Sequence, residues 1–497
     1  MKRQTMAQAT FIMMVAGFII KILGIIYRII ITRALGDDGM MIYALIHPTM
    51  MLLVTLATVG LPVAIPAIIS RGDMKERKVL TTSLTISMTI STIITFAMFF
   101  LAQPIATYLL KNPGVVLPLM VIGPLLCAIS YTSILKSYFQ GKENMTPGAV
   151  STMVEQVVRM GLSIVLIAWL LPRGIPYGVA GLILASIGGE LSSAIILTFW
   201  FVKFKKDTYP HSKRAAGRFE PLVLKGILGI SLPTTGSRLI GSITNFFEPI
   251  IVMAILMHHG FASNTSGNMF SAVTMFAIPL LLMPSFVSSS VTQSLIPAVS
   301  KAYKTRDLAT IHKRMSTAFR ISFFTCGFYL ILVMIFPYEI MHLLYNKYTG
   351  AEFLKIMAPI FLIAYVQAPL VATLQAIGEA KFALHASIVA AFVKIGLMSA
   401  LMMIPELNIL GLVYSILINI ILLTVWYYVI VRQKIGYKLK YTKIINGGLV
   451  LSVVYIIGQH LKTMPNFGEG IYQIVFVSLA LFAIHSILSL IGGLSPK

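Results

Sequence analysis

A run of about twenty apolar residues, closed by a short polar turn, recurs along this chain from end to end, and no soluble fold accommodates that pattern. The runs fall near 7–31, 41–69, 80–101, 115–135, 148–171, 178–201, 226–257, 268–292, 317–336, 355–377, 383–404, 408–431, 444–461 and 470–492. Each approaches the roughly 20 residues an α-helix needs to cross the hydrocarbon core. A helix satisfies its own backbone N–H and C=O groups, so it can span without water. The expectation is an all-α polytopic membrane protein with 14 transmembrane helices. Charged residues make up only 11% of the chain, against about 25% in soluble domains. Met1-Lys2-Arg3 leads into an apolar run too long for a signal core, so that run is expected to be a retained first helix.

The formal net charge of +23 is unevenly placed. With the N-terminus set inside, 28 Lys and Arg fall on the cytoplasmic side and six on the outer side. The positive-inside rule then puts both termini in the cytoplasm. The same distribution accounts for the basic excess without a nucleic-acid partner. Cys127 and Cys326 sit in apolar runs, with neither disulfide nor zinc spacing. No metal and no cofactor is expected. His258-His259 point to different faces of a helix end and read as a solvated pair.

Two basic stretches divide the chain. The expected organisation is an N-terminal lobe at 1–202, a cytoplasmic linker at 203–225, a C-terminal lobe at 226–431, a second linker at 432–443, and two last helices within 444–497. Prolines should bend several helices: Pro48, Pro62 and Pro66 in the second, Pro233 and Pro249 in the seventh, Pro279 and Pro284 in the eighth. The two six-helix halves share an order of motifs. Lys21-Ile-Leu-Gly24 matches Arg238-Leu-Ile-Gly241, and Ile65-Pro66-Ala67 matches Ile296-Pro297-Ala298. Gln140 precedes Val158-Arg159-Met160-Gly161-Leu162 as Gln375 precedes Val393-Lys394-Ile395-Gly396-Leu397, with 19 residues from Gln to the cation each time. A parallel duplication follows, with a site between the halves as its usual consequence.

With Arg320 and Lys355, at segment ends, counted with the loops, five cations fall inside the apolar segments: Lys21, Arg28, Arg159, Arg238 and Lys394. Three carboxylates join them, Glu155, Glu190 and Glu248. A cation at the centre of a spanning helix costs about 2.5–3.5 kcal/mol on insertion scales. Lys21 and Arg28 are seven residues apart, nearly two helical turns, and so share one face. Two cations on one stripe point to a polar cavity and an anion, with snorkelling to the interface as the alternative, strongest for Arg28. The repeat sets Lys21 opposite Arg238, and Arg159 opposite Lys394. Glu155 precedes Arg159 by one turn, the favourable order for a local pair. Glu248 is ten residues from Arg238, about 15 Å along the axis; it is open to Lys21 or Arg28, to a proton or to sodium. Gly188-Gly189-Glu190 reads as close helix packing.

Several stretches carry a family likeness: Gly60-Leu-Pro-Val-Ala-Ile65, Tyr138-Phe-Gln-Gly141-Lys-Glu-Asn, Glu155-Gln-Val-Val-Arg159, Ser231-Leu-Pro-Thr-Thr-Gly-Ser-Arg238 and Phe246-Phe-Glu-Pro249. Together with Met357-Ala-Pro-Ile-Phe and Leu374-Gln-Ala, they resemble the stage V sporulation protein B group of Gram-positive spore formers. That group belongs to the polysaccharide-transporter branch of the multidrug/oligosaccharidyl-lipid/polysaccharide (MOP) flippase superfamily. The resemblance implies two pseudo-symmetric lobes around a central cavity, as in MATE transporters and lipid II flippases. It implies transport of an undecaprenyl-pyrophosphate-linked saccharide, lipid II for spore cortex foremost, in the cell membrane or the membranes around the forespore. Lys21 falls where related flippases carry a basic residue in their first helix, and Arg28 is one residue out of step with their next one.

On this reading the substrate-binding residues are Lys21, Arg28, Arg238, Lys394 and Arg159, with Glu248 and Glu155 as ion or salt-bridge partners. Membrane lipid surrounds the chain, peptidoglycan synthases are the protein partners the resemblance admits, and a monomer is compatible with the sequence. No Gly-x4-Gly-Lys-Ser/Thr motif is present, so the expected driving force is potential or an ion gradient rather than ATP. Two other classes stay open. A cation-coupled drug exporter on the same fold would line its cavity with carboxylates. An enzyme acting on lipid-linked sugars would need paired carboxylates or a large outer loop. A scaffold without transport is a third possibility.

Overall fold

The computed structural model of the protein describes residues 6–71, 74–208, 221–439, 441–464 and 470–492. Helices account for nearly all of them, and no strand occurs among the described residues. The chain divides into two compact units, Met1–Ser271 and Ala272–Lys497.

The first unit begins with α1 (Met6–Thr58), which holds the first expected segment and most of the second. The two legs meet at Gly36, with φ 68° and ψ −169°. That backbone region is open essentially to glycine alone. The bend is sharp: Thr32 Oγ1 reaches Met40 Sδ at 3.8 Å, where a straight helix would separate eight residues by about 12 Å. Next come α2 (Leu61–Arg71), α3 (Glu76–Pro104), α4 (Val116–Gly141), α5 (Thr146–Leu170), α6 (Ile175–Thr208), α7 (Pro221–His258) and α8 (Ser263–Ser271). Asn112 starts the turn into α4 by accepting a hydrogen bond from the Gly114 amide at 2.9 Å. Leu61, Ile65, Tyr138, Phe139, Leu197 and Ile227 form a buried core shared by α2, α4, α6 and α7.

The second unit continues through a π-helical turn (Ala272–Ala277) to α9 (Ile278–Leu281), α10 (Ser285–Lys304), α11 (Leu308–Ile335) and α12 (Pro337–Tyr345). It ends with α13 (Ala351–Ala376), α14 (Ala380–Met402), α15 (Leu410–Ile435), α16 (Tyr441–Lys462) and α17 (Ile471–Ile491). Val299, Ile311, Met315, Leu370, Val431 and Ile435 anchor one core, and Phe336, Val454, Val477 and Leu481 another.

Eleven helices among the described residues are long and apolar enough to cross a membrane, or twelve with the bent pair at Pro284 counted as one span. The sequence expectation is fourteen. The first of the eleven, Val15–Ser70, contains two expected segments, whose helices meet at the kink at Gly36. The expected thirteenth segment is the separate 22-residue helix α16.

The prolines act unevenly. The break in the second segment lies at Val59 and Gly60, both with positive φ, and not at Pro48 or Pro66, which sit inside helices. Pro62 follows at the first turn of α2, where its missing N–H costs nothing. Against expectation, α7 runs unbroken past Pro233 and Pro249. A free carbonyl in a membrane helix can be satisfied locally, so proline does not force a break. The eighth segment does break, between Leu281 and Ser285.

Residues 203–208 extend α6 and 221–225 open α7, while 209–220 lie outside the described residues. In the second linker, Arg432–Ile435 close α15, Gly436 caps it with φ 68°, and Lys440 lies outside the described residues.

Candidate functional site

Charge inside the first unit gathers where α4, α5 and α6 meet the first leg of α1. Gly188 and Gly189 let α6 lie directly on α5: a Cβ at Gly189 would stand 2.9 Å from the Glu155 carbonyl oxygen and 3.0 Å from Arg159 Cβ. This is the close packing expected of the Gly-Gly-Glu run. It presents Glu155 and Arg159 of α5 to α4 and α1.

Glu155 is buried and bridges two cations. Lys136 Nζ of α4 donates to its Oε2 at 2.8 Å, and Arg159 lies 3.9 Å from its Oε1 in the i,i+4 pair expected from sequence. Arg159 also donates to Gln156 Oε1. Its guanidinium sits 5.1 Å from the centre of the Tyr27 ring. Ser163 donates to the Tyr27 hydroxyl at 3.3 Å. Beside this group Glu190 of α6 accepts from Thr132 at 2.6 Å and feels the charges of Glu155, Lys136 and Arg159. Two cations thus face two carboxylates, and the cluster is balanced. One donor stands out: Arg159 Nε is buried with no hydrogen-bond partner.

The other cations sit elsewhere on α1, α7 and α14. Lys21 is exposed and Arg28 half-buried, both on the unbroken first leg of α1. Arg28 lies within electrostatic reach of Tyr43 and His47 on the second leg, whose rings meet edge-on at 5.5 Å. Arg238 is exposed on α7. One turn further on, Ser242 hydrogen-bonds Thr55 of α1 at 3.0 Å, which holds this stretch of α7 against the second leg. Glu248 is buried on the same helix. Lys394 belongs to the second unit, half-buried on α14. Setting the balanced cluster aside leaves Lys21, Arg28, Arg238 and Lys394 against Glu248 among the intramembrane charges.

The sequence reading placed Lys136 just past the fourth segment, 115–135, and left the role of Glu190 open. Lys136 in fact lies inside α4, and its distance of 19 residues from Glu155 carries no helical periodicity. Its polar neighbours Thr132 and Ser133 were the available hint. His258 and His259 have ring centres 6.1 Å apart, and no group of three metal-binding side chains occurs among the described residues.

Residues 6–303 match the family described as "Polysaccharide biosynthesis protein". Over its full length the chain is 34% identical to Stage V sporulation protein B of Bacillus subtilis (strain 168), covering 97% of that protein. The chain belongs to this polysaccharide biosynthesis family. Within the family it is a stage V sporulation protein B-like member. It is also 19% identical to the Lipid II flippase MurJ of the same organism, over 87% of this chain and 84% of the relative. The fold agrees. A solved structure of lipid II flippase MurJ, in an inward closed conformation, superimposes with a TM-score of 0.73 at 13% identity, over 96% of this chain and 98% of the other. An inward-facing multidrug resistance MATE transporter follows with 0.65 at 17% identity, over 84% and 94%.

Proposed function

We propose that this protein is a flippase that carries an undecaprenyl-pyrophosphate-linked saccharide, lipid II for spore cortex peptidoglycan, from the cytoplasmic to the outer leaflet. The observation that carries this reading is the excess of cations over carboxylates within the apolar segments, in a chain homologous throughout to a sporulation protein and more distantly to a lipid II flippase. A sugar diphosphate cannot cross hydrocarbon unaided. Lys21, Arg28, Arg238 and Lys394 would bind its phosphates through charge-assisted hydrogen bonds, Arg as a fork and Lys as a point charge. Arg159, steadied by Glu155 and Tyr27, would offer its unpartnered Nε.

The two six-helix lobes of the sequence repeat would rock about this site while the prenyl tail stays in lipid. With both termini cytoplasmic, an inside-negative potential favours outward movement of an anion by about 2.3 kcal/mol per charge per 100 mV. Glu248 would serve as a proton, sodium or salt-bridge partner. The positive interior disfavours export of cationic drugs. The role is transport without catalysis, and the delivered lipid is the material peptidoglycan synthases consume.

The test is outward-facing lipid II in spore-forming cells depleted of other flippases, with and without this chain. Wild type should restore exposure at the outer surface. Lys21→Ala and Arg238→Ala should abolish it at normal membrane abundance. Full exposure with both variants overturns the reading.

A further inference from the structure

The second unit contains a cavity of about 860 Å³ that the transport reading does not use. It lies among α11, α13, α15 and α16, all within one unit. Phe319, Phe323, Leu362, Ile363, Val366 and Leu451 line it. Three lysines gather at its rim, Lys313 from α11, Lys438 from the connection after α15 and Lys443 from α16, while Arg320 lies about 10 Å further along α11. No carboxylate lines it among the described residues. The volume falls in the range of small-molecule and cofactor sites.

The rim is built in place. Gly436 turns the chain out of α15 with φ 68°. His312 Nε2 then meets the Ile435 carbonyl oxygen at 2.8 Å. Tyr437 is buried, its hydroxyl 3.1 Å from Ser316 Oγ and its ring edge-on to His312. The Leu439 amide donates to the Tyr428 hydroxyl at 3.3 Å. These bonds fix the backbone on both sides of Lys438. From Lys313 to Phe323 the cavity follows α11 for about 15 Å along its axis, from the lysine rim to a mainly apolar stretch that also holds Arg320.

We propose that this cavity holds an anionic glycerophospholipid, with its phosphate at the Lys313–Lys438–Lys443 rim and an acyl chain along Phe319, Phe323 and Leu451. Charge at one end and apolar surface at the other select an amphiphile of that polarity. Basic pockets between membrane helices bind anionic lipid headgroups in this way. The cavity lies inside one unit, so its occupant need not be carried when lobes move against each other. That separates it from the transported lipid. The proposal rests on the proposed orientation only for which leaflet supplies the lipid.

The test is native mass spectrometry of the full chain in detergent, titrated with dioleoyl phosphatidylglycerol or dioleoyl phosphatidylcholine. Phosphatidylglycerol should be retained strongly and phosphatidylcholine weakly. Lys313→Gln and Lys443→Gln should each weaken phosphatidylglycerol retention about fivefold at low salt, with phosphatidylcholine unaffected. Gly448 lines the cavity and a Cβ there meets nothing within 4 Å, so Gly448→Leu should fill the space, keep the melting temperature and abolish retention. Equal retention of the two lipids, or an unchanged preference in the Lys variants, overturns the proposal. One-for-one displacement of phosphatidylglycerol by undecaprenyl diphosphate overturns it in favour of a substrate site, and displacement by millimolar inorganic phosphate in favour of a simple anion site. These readouts are lipid retention alone, so failure of the flippase reading would not mimic them.

Discussion

Glu155 is the residue whose replacement tests the charge cluster most directly. Glu155→Gln keeps the shape of the side chain and removes the charge that Lys136 and Arg159 share. Breaking a buried ion pair costs about 3–5 kcal/mol, because the partner stays buried without compensation. Here the carboxylate side chain is 7% exposed, but Lys136 keeps 27% and Arg159 23% of side-chain accessibility. Solvent and Gln156 relieve part of the loss, so the expected cost is about 2–3 kcal/mol. The assay is unfolding of the purified protein in detergent, followed by loss of the monodisperse peak on heating. Adding Lys136→Met should recover part of the loss, since one stranded cation is then gone. The two sites share a partner and should be non-additive by more than about 0.5 kcal/mol. A loss under about 0.5 kcal/mol in Glu155→Gln, or strict additivity in the double variant, would refute the claim that this carboxylate holds α4 to α5.

Three further outcomes are expected. Gly189→Ala drives a Cβ into the Glu155 carbonyl oxygen and Arg159 Cβ; it should cost about 1–3 kcal/mol by overpacking, read in the same unfolding assay. Gly36→Ala places a side chain in a glycine-only backbone region and should cost about 1–3 kcal/mol through strain at the bend of α1. Asp307 caps α11 by accepting from Thr310, whose hydroxyl and amide hold the carboxylate below its ordinary value. With the folded value depressed, the cap stabilises at neutral pH and is lost as pH falls through that value. Hydrogen exchange at the Thr310 amide should therefore show acid-dependent loss of protection, and Asp307→Ala should remove that dependence.

Much of the candidate site was legible in advance where it depended on local spacing. The Glu155–Arg159 pair follows from one helical turn, and the tight Gly188-Gly189 contact from residue size. Lys136 was not legible, because its partner is brought to it by the meeting of α4 and α5. The proline breaks were misjudged for a related reason. A proline removes one donor, but whether the helix bends depends on what surrounds the freed carbonyl, and α7 passes two prolines without a break.

The sequence alone determined the class of molecule. Twenty-residue apolar runs can only be helices in lipid, since each must satisfy its backbone internally, and the charge asymmetry between loops needs no fold to be counted. The number and place of the cations within the apolar segments were equally plain. Their pairing was decided only in three dimensions: which charge is neutralised depends on contacts between helices far apart in the chain. Arg159 is tied to Glu155 and Tyr27, and a separate basic-rimmed cavity arises where four helices of the second unit meet. Periodicity fixes what lies on one helix, whereas packing fixes what lies across from it.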